Sequence, residues 1–203
     1  MSGAARRANC GVHWLLARRA SDRPLPASEA TSLDHAMMAR ALALAQRAGD
    51  AGEAPVGAVV YRLGDGAVVG EASNTRERDK DPAAHAELLA IRLAASTTGD
   101  WRLNACGLAV TLEPCAMCAG LIVQARVGRV VFGAMDPKAG WAGSLGNLLT
   151  DRRGNHRVRP VAGVMEERCA QLLREFFAAR RAAKRPSRAA RDAGPAPTGA
   201  HHA

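Results

Sequence analysis

Leu108-Ala109-Val110-Thr111-Leu112-Glu113-Pro114-Cys115-Ala116-Met117-Cys118-Ala119-Gly120, with Val127-Gly128-Arg129-Val130-Val131-Phe132 behind it, is the stretch on which the fold turns. An apolar strand is expected over Leu108–Leu112, a helix from Pro114 to about Ala125, and a second strand over Val127–Phe132. Strand and helix alternating in this way lay helices over a sheet. Working outward, Ala84-His85-Ala86-Glu87 stands in a comparable place: a polar loop, Ser73–Asp81, leads to Pro82 and a helix expected to reach about Ala95. Before it, Val56–Tyr61 and Ala67–Val69 flank Gly64-Asp65-Gly66 as a β-hairpin. A first helix is read over Leu33–Ala48, with Asp34 in its first turn, Met37, Ala41, Leu44 and Ala45 on one face, and Gly49 ending it. Beyond Phe132 come a glycine-rich loop through Gly146, a short fifth strand over Arg157–Val161, and a last helix from near Met165 carrying Cys169, Leu172, Leu173, Phe176 and Phe177. The whole reads as an α/β domain with helices covering a sheet.

The chain has 203 residues, enough for one domain with flanks. Hydrophobic residues make up 48% but aromatic ones only 3%, so the core must be aliphatic and alanine-rich. No apolar run approaches the ~18–20 residues of a membrane span. Val12–Ala17 is too short for a secretory leader and runs into Arg18 and Arg19, so the sequence reads as cytoplasmic with no membrane partner. The net charge of +9 sits at the ends: residues 1–33 hold five Arg against two acids, and 180–203 hold six basic residues against one acid. Basic ends suit a polyanion such as RNA, although a solvated tail explains them equally well. Residues 1–32 are expected to be a poorly ordered basic extension, 33–181 the folded domain, and 182–203 a disordered basic tail.

Five cysteines argue against a disulfide framework, and two of them form Cys115-x-x-Cys118. Cys106 and Cys169 read as buried thiols acting as small hydrophobes; Cys10 has no such partner either. Cys115 and Cys118, three apart at a helix start, face the same way, and the helix N-terminus favours the thiolate a metal needs. His85 adds an imidazole from the neighbouring helix. Three protein ligands are the set of a catalytic zinc, which keeps its fourth position for water and lowers that water's pKa to about 7. Glu87 cannot easily join the same sphere as His85, but it can reach the water as a proton shuttle. Singly, each piece has a plainer use: a histidine cap, a redox or structural Cys-x-x-Cys, a solvated glutamate. Together, His-x-Glu followed by Pro-Cys-x-x-Cys is the signature of zinc-dependent nucleobase deaminases.

From about Leu33 to Arg181 the sequence resembles bacterial tRNA adenosine deaminases. The resemblance is carried by Pro55-Val56-Gly57-Ala58-Val59, Ala84-His85-Ala86-Glu87, Val110 through Gly120, Gly128-Arg129-Val130-Val131-Phe132-Gly133-Ala134, Asn155-His156-Arg157-Val158, and Phe176-Phe177-x-x-Arg180-Arg181. It implies a three-layer α/β/α cytidine-deaminase-like fold with a mixed, roughly five-stranded sheet, one zinc per chain, a homodimer, and the anticodon stem-loop of tRNA as partner. It also implies substrate-binding roles for Asn74, Ala86, Asp136, Phe177 and Arg180, with Phe177 stacking on a splayed nucleotide and Arg180 meeting its charge. Met135 and Trp141 depart from the family's polar and small residues, which touches the RNA surface or the dimer contact rather than the reaction.

The reaction expected is hydrolytic deamination of adenosine to inosine at the wobble position, with His85, Cys115 and Cys118 holding zinc and Glu87 moving the protons. Two rivals stand beside it: a deaminase of a small free base such as guanine, cytosine or a pterin-like ring, and an inactive RNA-binding partner that keeps zinc for structure. Retention of Glu87 speaks against the second, because binding zinc does not need that carboxylate.

Overall fold

The computed structural model describes residues 23–184. Helix α1 (Ser32–Asp50) is followed by β1 (Gly57–Arg62), β2 (Val68–Ser73), the short α2 (Arg76–Asp79), α3 (Ala86–Thr98), β3 (Cys106–Leu112), α4 (Ala116–Gln124), β4 (Arg129–Ala134), β5 (Val161–Ala162) and α5 (Glu166–Lys184). The five strands lie in the order β2-β1-β3-β4-β5. β1 runs antiparallel to β2 and β3, whereas β3, β4 and β5 are parallel, giving the mixed sheet expected.

Side chains alternate across each strand, so each strand feeds two cores. Ala58, Val60, Leu108, Val110, Val130 and Phe132 face α3 and α4 through Ala90, Ile91, Ala119 and Ile122. Val59, Tyr61, Ala109 and Val131 face α1 and α5 through Met38, Ala41, Leu44 and Cys169. This is the α/β/α sandwich, built largely from alanine and valine. Small residues let the layers close tightly: a Cβ on Gly70 of β2 would stand 2.4 Å from the carbonyl oxygen of Ala90 in α3.

Several boundaries differ from the sequence expectation, each for a local reason. Thr31 caps α1 with a reciprocal capping box, its hydroxyl accepting from the Asp34 N–H at 3.1 Å while Asp34 accepts from the Thr31 N–H at 2.7 Å. Pro82 sits in a turn in which Asp81 accepts from the Ala83 N–H, and α3 begins only at Ala86. Likewise α4 begins at Ala116, leaving Cys115 as an extended N-cap. The polar loop after β2 contains the one-turn α2, and β5 shrinks to two residues after Pro160. Ala182, Ala183 and Lys184, good helix formers, continue α5 into the expected tail.

Within the stretch 1–32, expected to be poorly ordered, residues 23–31 are anchored. Leu25 pairs in parallel with Val161, donating to Pro160 O at 2.7 Å and accepting from Ala162 N at 2.9 Å. Glu29 O accepts from Arg129 at 2.9 Å. Residues 1–22, with Cys10, and 185–203 lie outside the described residues. Among the described residues, no helix is long and apolar enough to cross a membrane.

Candidate functional site

The parallel strands β3 and β4 point the same way, and the candidate site gathers at the end toward which β3 runs. β3 ends at Leu112; Glu113 and Pro114 turn the chain, and Cys115 opens α4. His85 is the N-cap of α3, its backbone extended at φ −79°, ψ 147° rather than helical. Cys115 holds the same place on α4, at φ −71°, ψ 175°. Both side chains are thereby swung off their helix axes toward each other, and Cys118, in the first turn of α4, is fully buried beside them. His85 Nδ1 lies 3.7 Å from Cys115 Sγ and 3.6 Å from Cys118 Sγ. The three donor atoms lie within 4.8 Å of one another.

That geometry fits a metal. In a tetrahedral zinc site, bonds of about 2.1 Å to nitrogen and about 2.3 Å to sulfur place N and S roughly 3.6 Å apart. Two thiolates and an imidazole are also the soft set zinc prefers over magnesium or calcium. The electrostatics agree. A hydrogen bond from Cys118, and then His85, hold the Cys115 thiol far below its ordinary value, at about 3, although burial opposes them. The hydrogen bond to Cys115 in turn raises His85 above its own. Cys118 moves the opposite way, its hydrogen bond to Cys115 and its burial holding that thiol above its ordinary value, so the three groups share protons of the kind a cation displaces. Cys106 and Cys169 stand apart as buried free thiols, and burial pushes Cys169 up to about 11.

Glu87, in the first turn of α3, is 4% exposed and follows His85 by two residues. Burial pushes its carboxyl up to about 7, against the opposing pull of its own backbone N–H and of His85. Asn74 is also buried. Its Oδ1 accepts the N–H of Ala86 at 2.9 Å, which ties the loop after β2 to the backbone between His85 and Glu87. The bond fixes the amide's orientation: the oxygen faces α3, and the NH2 group is turned the other way.

Asn74 lines a cavity of about 430 Å³ that also contains Glu53, Arg76, Lys80, Phe177 and Arg180. Three of the five expected substrate contacts, Asn74, Phe177 and Arg180, therefore share one space although they come from β2's end and from α5. Phe177 is 44% exposed and meets Phe176 edge-on at 5.3 Å, while the Arg180 guanidinium lies 5.6 Å from the Phe176 ring. Ala86 and Asp136 are not on the lining. Ala86 is buried and spends its N–H on Asn74. Asp136 accepts from the N–H groups of Lys138 and Ala139 at 3.0 and 3.2 Å, closing its own turn.

Two buried carboxylates complete the frame. Glu53 accepts from the N–H groups of Glu77 and Arg78 at 3.1 and 2.8 Å, capping α2 beside the cavity. Glu113 accepts from the N–H groups of Asp136 at 2.9 Å, Ala142 at 3.0 Å and Ser144 at 2.8 Å, and from the Ser144 hydroxyl. It pins the loop 135–144 against Cys115, whose backbone bridges Gly140. A Cβ at Gly140 would fall 2.3 Å from the Glu113 carboxyl, so only glycine lets that loop close. Neither glutamate stands out in the sequence, because the amides each serves lie more than twenty residues away; the one hint is Glu113 set directly before Pro114-Cys115.

An α/β/α sandwich with a His-x-Glu helix start facing a Cys-x-x-Cys helix start defines the deaminase class, and a family model described as MafB19-like deaminase matches residues 33–181. A tRNA-specific adenosine deaminase from Bacillus subtilis (strain 168) is 45% identical over 155 residues, covering 76% of this chain and 95% of that protein. A solved structure from work on A-to-I editing by tRNA deaminases at the wobble position is 36% identical with a TM-score of 0.63, covering 68% of this chain and 99% of that one. A guanine deaminase from Nitrosomonas europaea gives the same TM-score, 0.63, at 26% identity over 71% of this chain and 84% of that one. The chain belongs to the tRNA-specific adenosine deaminase family.

Proposed function

We propose that this protein hydrolyses the amino group of adenosine at the wobble position of a tRNA anticodon, leaving inosine and releasing ammonia. The observation that carries the reading is the cavity that starts at Asn74, hydrogen-bonded to the backbone between His85 and Glu87, and ends at Phe177 and Arg180 on the last helix. A free base needs an enclosed slot. An aromatic face and a guanidinium at the rim instead suit a nucleotide still joined to its neighbours and splayed out of its stack.

His85, Cys115 and Cys118 would hold one zinc per chain. When bound, zinc supplies Lewis acidity that makes water nucleophilic near neutral pH. Glu87 takes the proton of the attacking water and passes it to ring nitrogen N1 as the C6–O bond forms. It then takes the proton of the new C6 hydroxyl and delivers it to the departing amine as the C6–N bond breaks and C6=O forms, so one water is consumed and one ammonia released. Burial suits Glu87 to the task, because a general acid–base works best with a pKa near the operating pH. The Asn74 NH2 group orients the base, and Phe177 and Arg180 hold the nucleotides beside it. A homodimer fits the exposed apolar side chains of Met117, Trp141 and Leu145, which lie in segments bonded around Pro114 and Cys115.

The test is to incubate the purified protein with total tRNA and locate inosine by sequencing, alongside free adenosine, guanine and cytosine. Inosine confined to wobble positions is expected, with negligible turnover of the free compounds. The likeness to a guanine deaminase favours a second reading, a small-base deaminase, and efficient turnover of free guanine would establish that one instead. Elemental analysis of protein purified without added metal is expected to give one zinc per chain, and light scattering a mass twice that of the chain.

A further inference from the structure

The cavity beside Asn74 mixes charges, with Glu53, Glu77 and Asp81 on its lining next to Arg76, Lys80 and Arg180. A second one, of about 610 Å³, is lined by Thr150, Arg152, Asn155, His156, Arg157 and Arg159, together with Gly154 and Val158. No lining residue is acidic. The carboxylate that belongs to the same segment, Asp151, is taken up by Arg153 at 2.6 Å. Arg152 and Arg157 are exposed and make no ion pair among the described residues. Arg159 donates to Arg23 O at 3.0 Å, which ties the segment before α1 to this place.

Its position is fixed by His156, whose Nε2 is 2.9 Å from Val127 O. Val127 immediately precedes β4, whereas the metal ligands follow β3 at the far end of the same parallel pair. β4 has six residues, so about 20 Å of strand separates the two ends. A cavity at that distance cannot touch a base held at the metal end, but a polymer anchored there can reach it.

We propose that this cavity is a phosphate-binding subsite that grips the backbone of the RNA substrate away from the target base, through Arg152 and Arg157. The proposal rests on the tRNA reading above. Guanidinium groups meet phosphate oxygens in paired hydrogen bonds and read no sequence, so the subsite adds affinity and register rather than choice of base.

The test uses the full chain and three variants: Arg152→Ala/Arg157→Ala, Arg152→Glu/Arg157→Glu, and Arg152→Lys/Arg157→Lys. The RNA probes are a full-length tRNA transcript, and an oligonucleotide limited to the anticodon loop. Affinities are measured between about 50 and 200 mM salt, with single-turnover rates at saturating RNA. Each lost phosphate contact removes roughly 0.7–0.9 from the slope of log affinity against log salt, so the alanine pair is expected to flatten it by about 1.4–1.8 and to weaken tRNA binding on the order of tenfold or more at low salt. The glutamate pair should weaken it further, and the lysine pair should keep most of it. The saturated rate, zinc content and melting temperature should not move, and the loop-only oligonucleotide should bind all proteins alike. An unchanged salt slope in the alanine and glutamate pairs, with wild type active on tRNA, overturns the subsite alone. A changed oligomeric mass with unchanged RNA affinity also overturns it and makes the cavity a protein contact. A wild-type protein inactive on tRNA but active on free guanine overturns the parent reading and the subsite with it.

Discussion

Glu87 and Glu113 are both buried carboxylates near Cys115, yet their surroundings assign them opposite work. Glu113 is saturated by three backbone amides and a hydroxyl, so its charge is spent on holding a loop. Glu87 has no comparable set of donors and keeps a proton within reach of neutral pH. Replacing Glu87 with Gln should preserve zinc content and melting temperature while lowering the single-turnover rate by about 10²–10⁴-fold, the usual contribution of a positioned proton carrier. Parallel zinc and rate measurements check this; near-normal rates would remove Glu87 from the chemistry. A third carboxylate, Asp34, gives a pH signature. Burial would raise its pKa, but hydrogen bonds from Arg129, Tyr61 and Thr31 outweigh burial and bring it down to about 2 from an ordinary 3.8. Its folded value is depressed, so its contribution is complete above about pH 4 and is lost as pH falls toward 2. The loss should be about 2 kcal/mol. Urea unfolding across that range, compared with Asp34→Asn, should show the acid-side slope in the native protein and a smaller one in the variant.

At the scale of elements, the loop 135–144 and the helix α5 each bring residues to the site without supplying a metal ligand. Glu113→Gln keeps the size of the side chain but turns a donor toward amides that need an acceptor. It should cost about 2–3 kcal/mol of stability, read as a lower midpoint in denaturant. On α5, Phe177→Ala should raise KM for tRNA well before it lowers the saturated rate, because the ring stands at the cavity rim and not among the ligands. An equal fall in both would place Phe177 closer to the reacting atoms. The order of elements and both halves of the candidate metal site were legible in the sequence, because strand period, helix starts and the His-x-Glu and Cys-x-x-Cys spacings are local signals. The convergence of Asn74 with Phe177 was legible only through resemblance. The roles of Glu53, Glu113 and Thr31 were not, since each is defined by the N–H groups it meets and a glutamate or threonine on its own announces none. Helix starts were misplaced by two to four residues after Pro82 and Pro114 for a related reason: proline permits a helix start, but the extended caps His85 and Cys115 delay it.

At the scale of the molecule, most of the excess charge lies in sequence outside the residues that line the cavity. The excess positive charge lies toward the two ends of the chain, whereas Asn74 and Glu87 are buried in the domain and Phe177 stands at the cavity rim. Removing residues 1–22 and 185–203 should therefore raise KM for every tRNA and flatten its salt dependence, yet leave the preference for one anticodon loop over another intact. Cognate and non-cognate stem-loops assayed at two salt concentrations check this. Loss of the preference would make the ends part of recognition.

The point at which such a truncation stops is not arbitrary. Leu25 occupies the outer hydrogen-bonding side of β5, the last strand of the sheet on that side. A cut at residue 22 leaves that side covered. A cut at residue 30 strips it, baring the Ala162 N–H and the Pro160 C=O on an apolar edge that another chain can use as a template. The shorter protein should then clump on storage or heating while its metal centre is intact, and turbidity against time would separate the two cuts. Those few residues before the first helix act as a selvedge, the finished border that keeps a woven sheet from fraying into its neighbour.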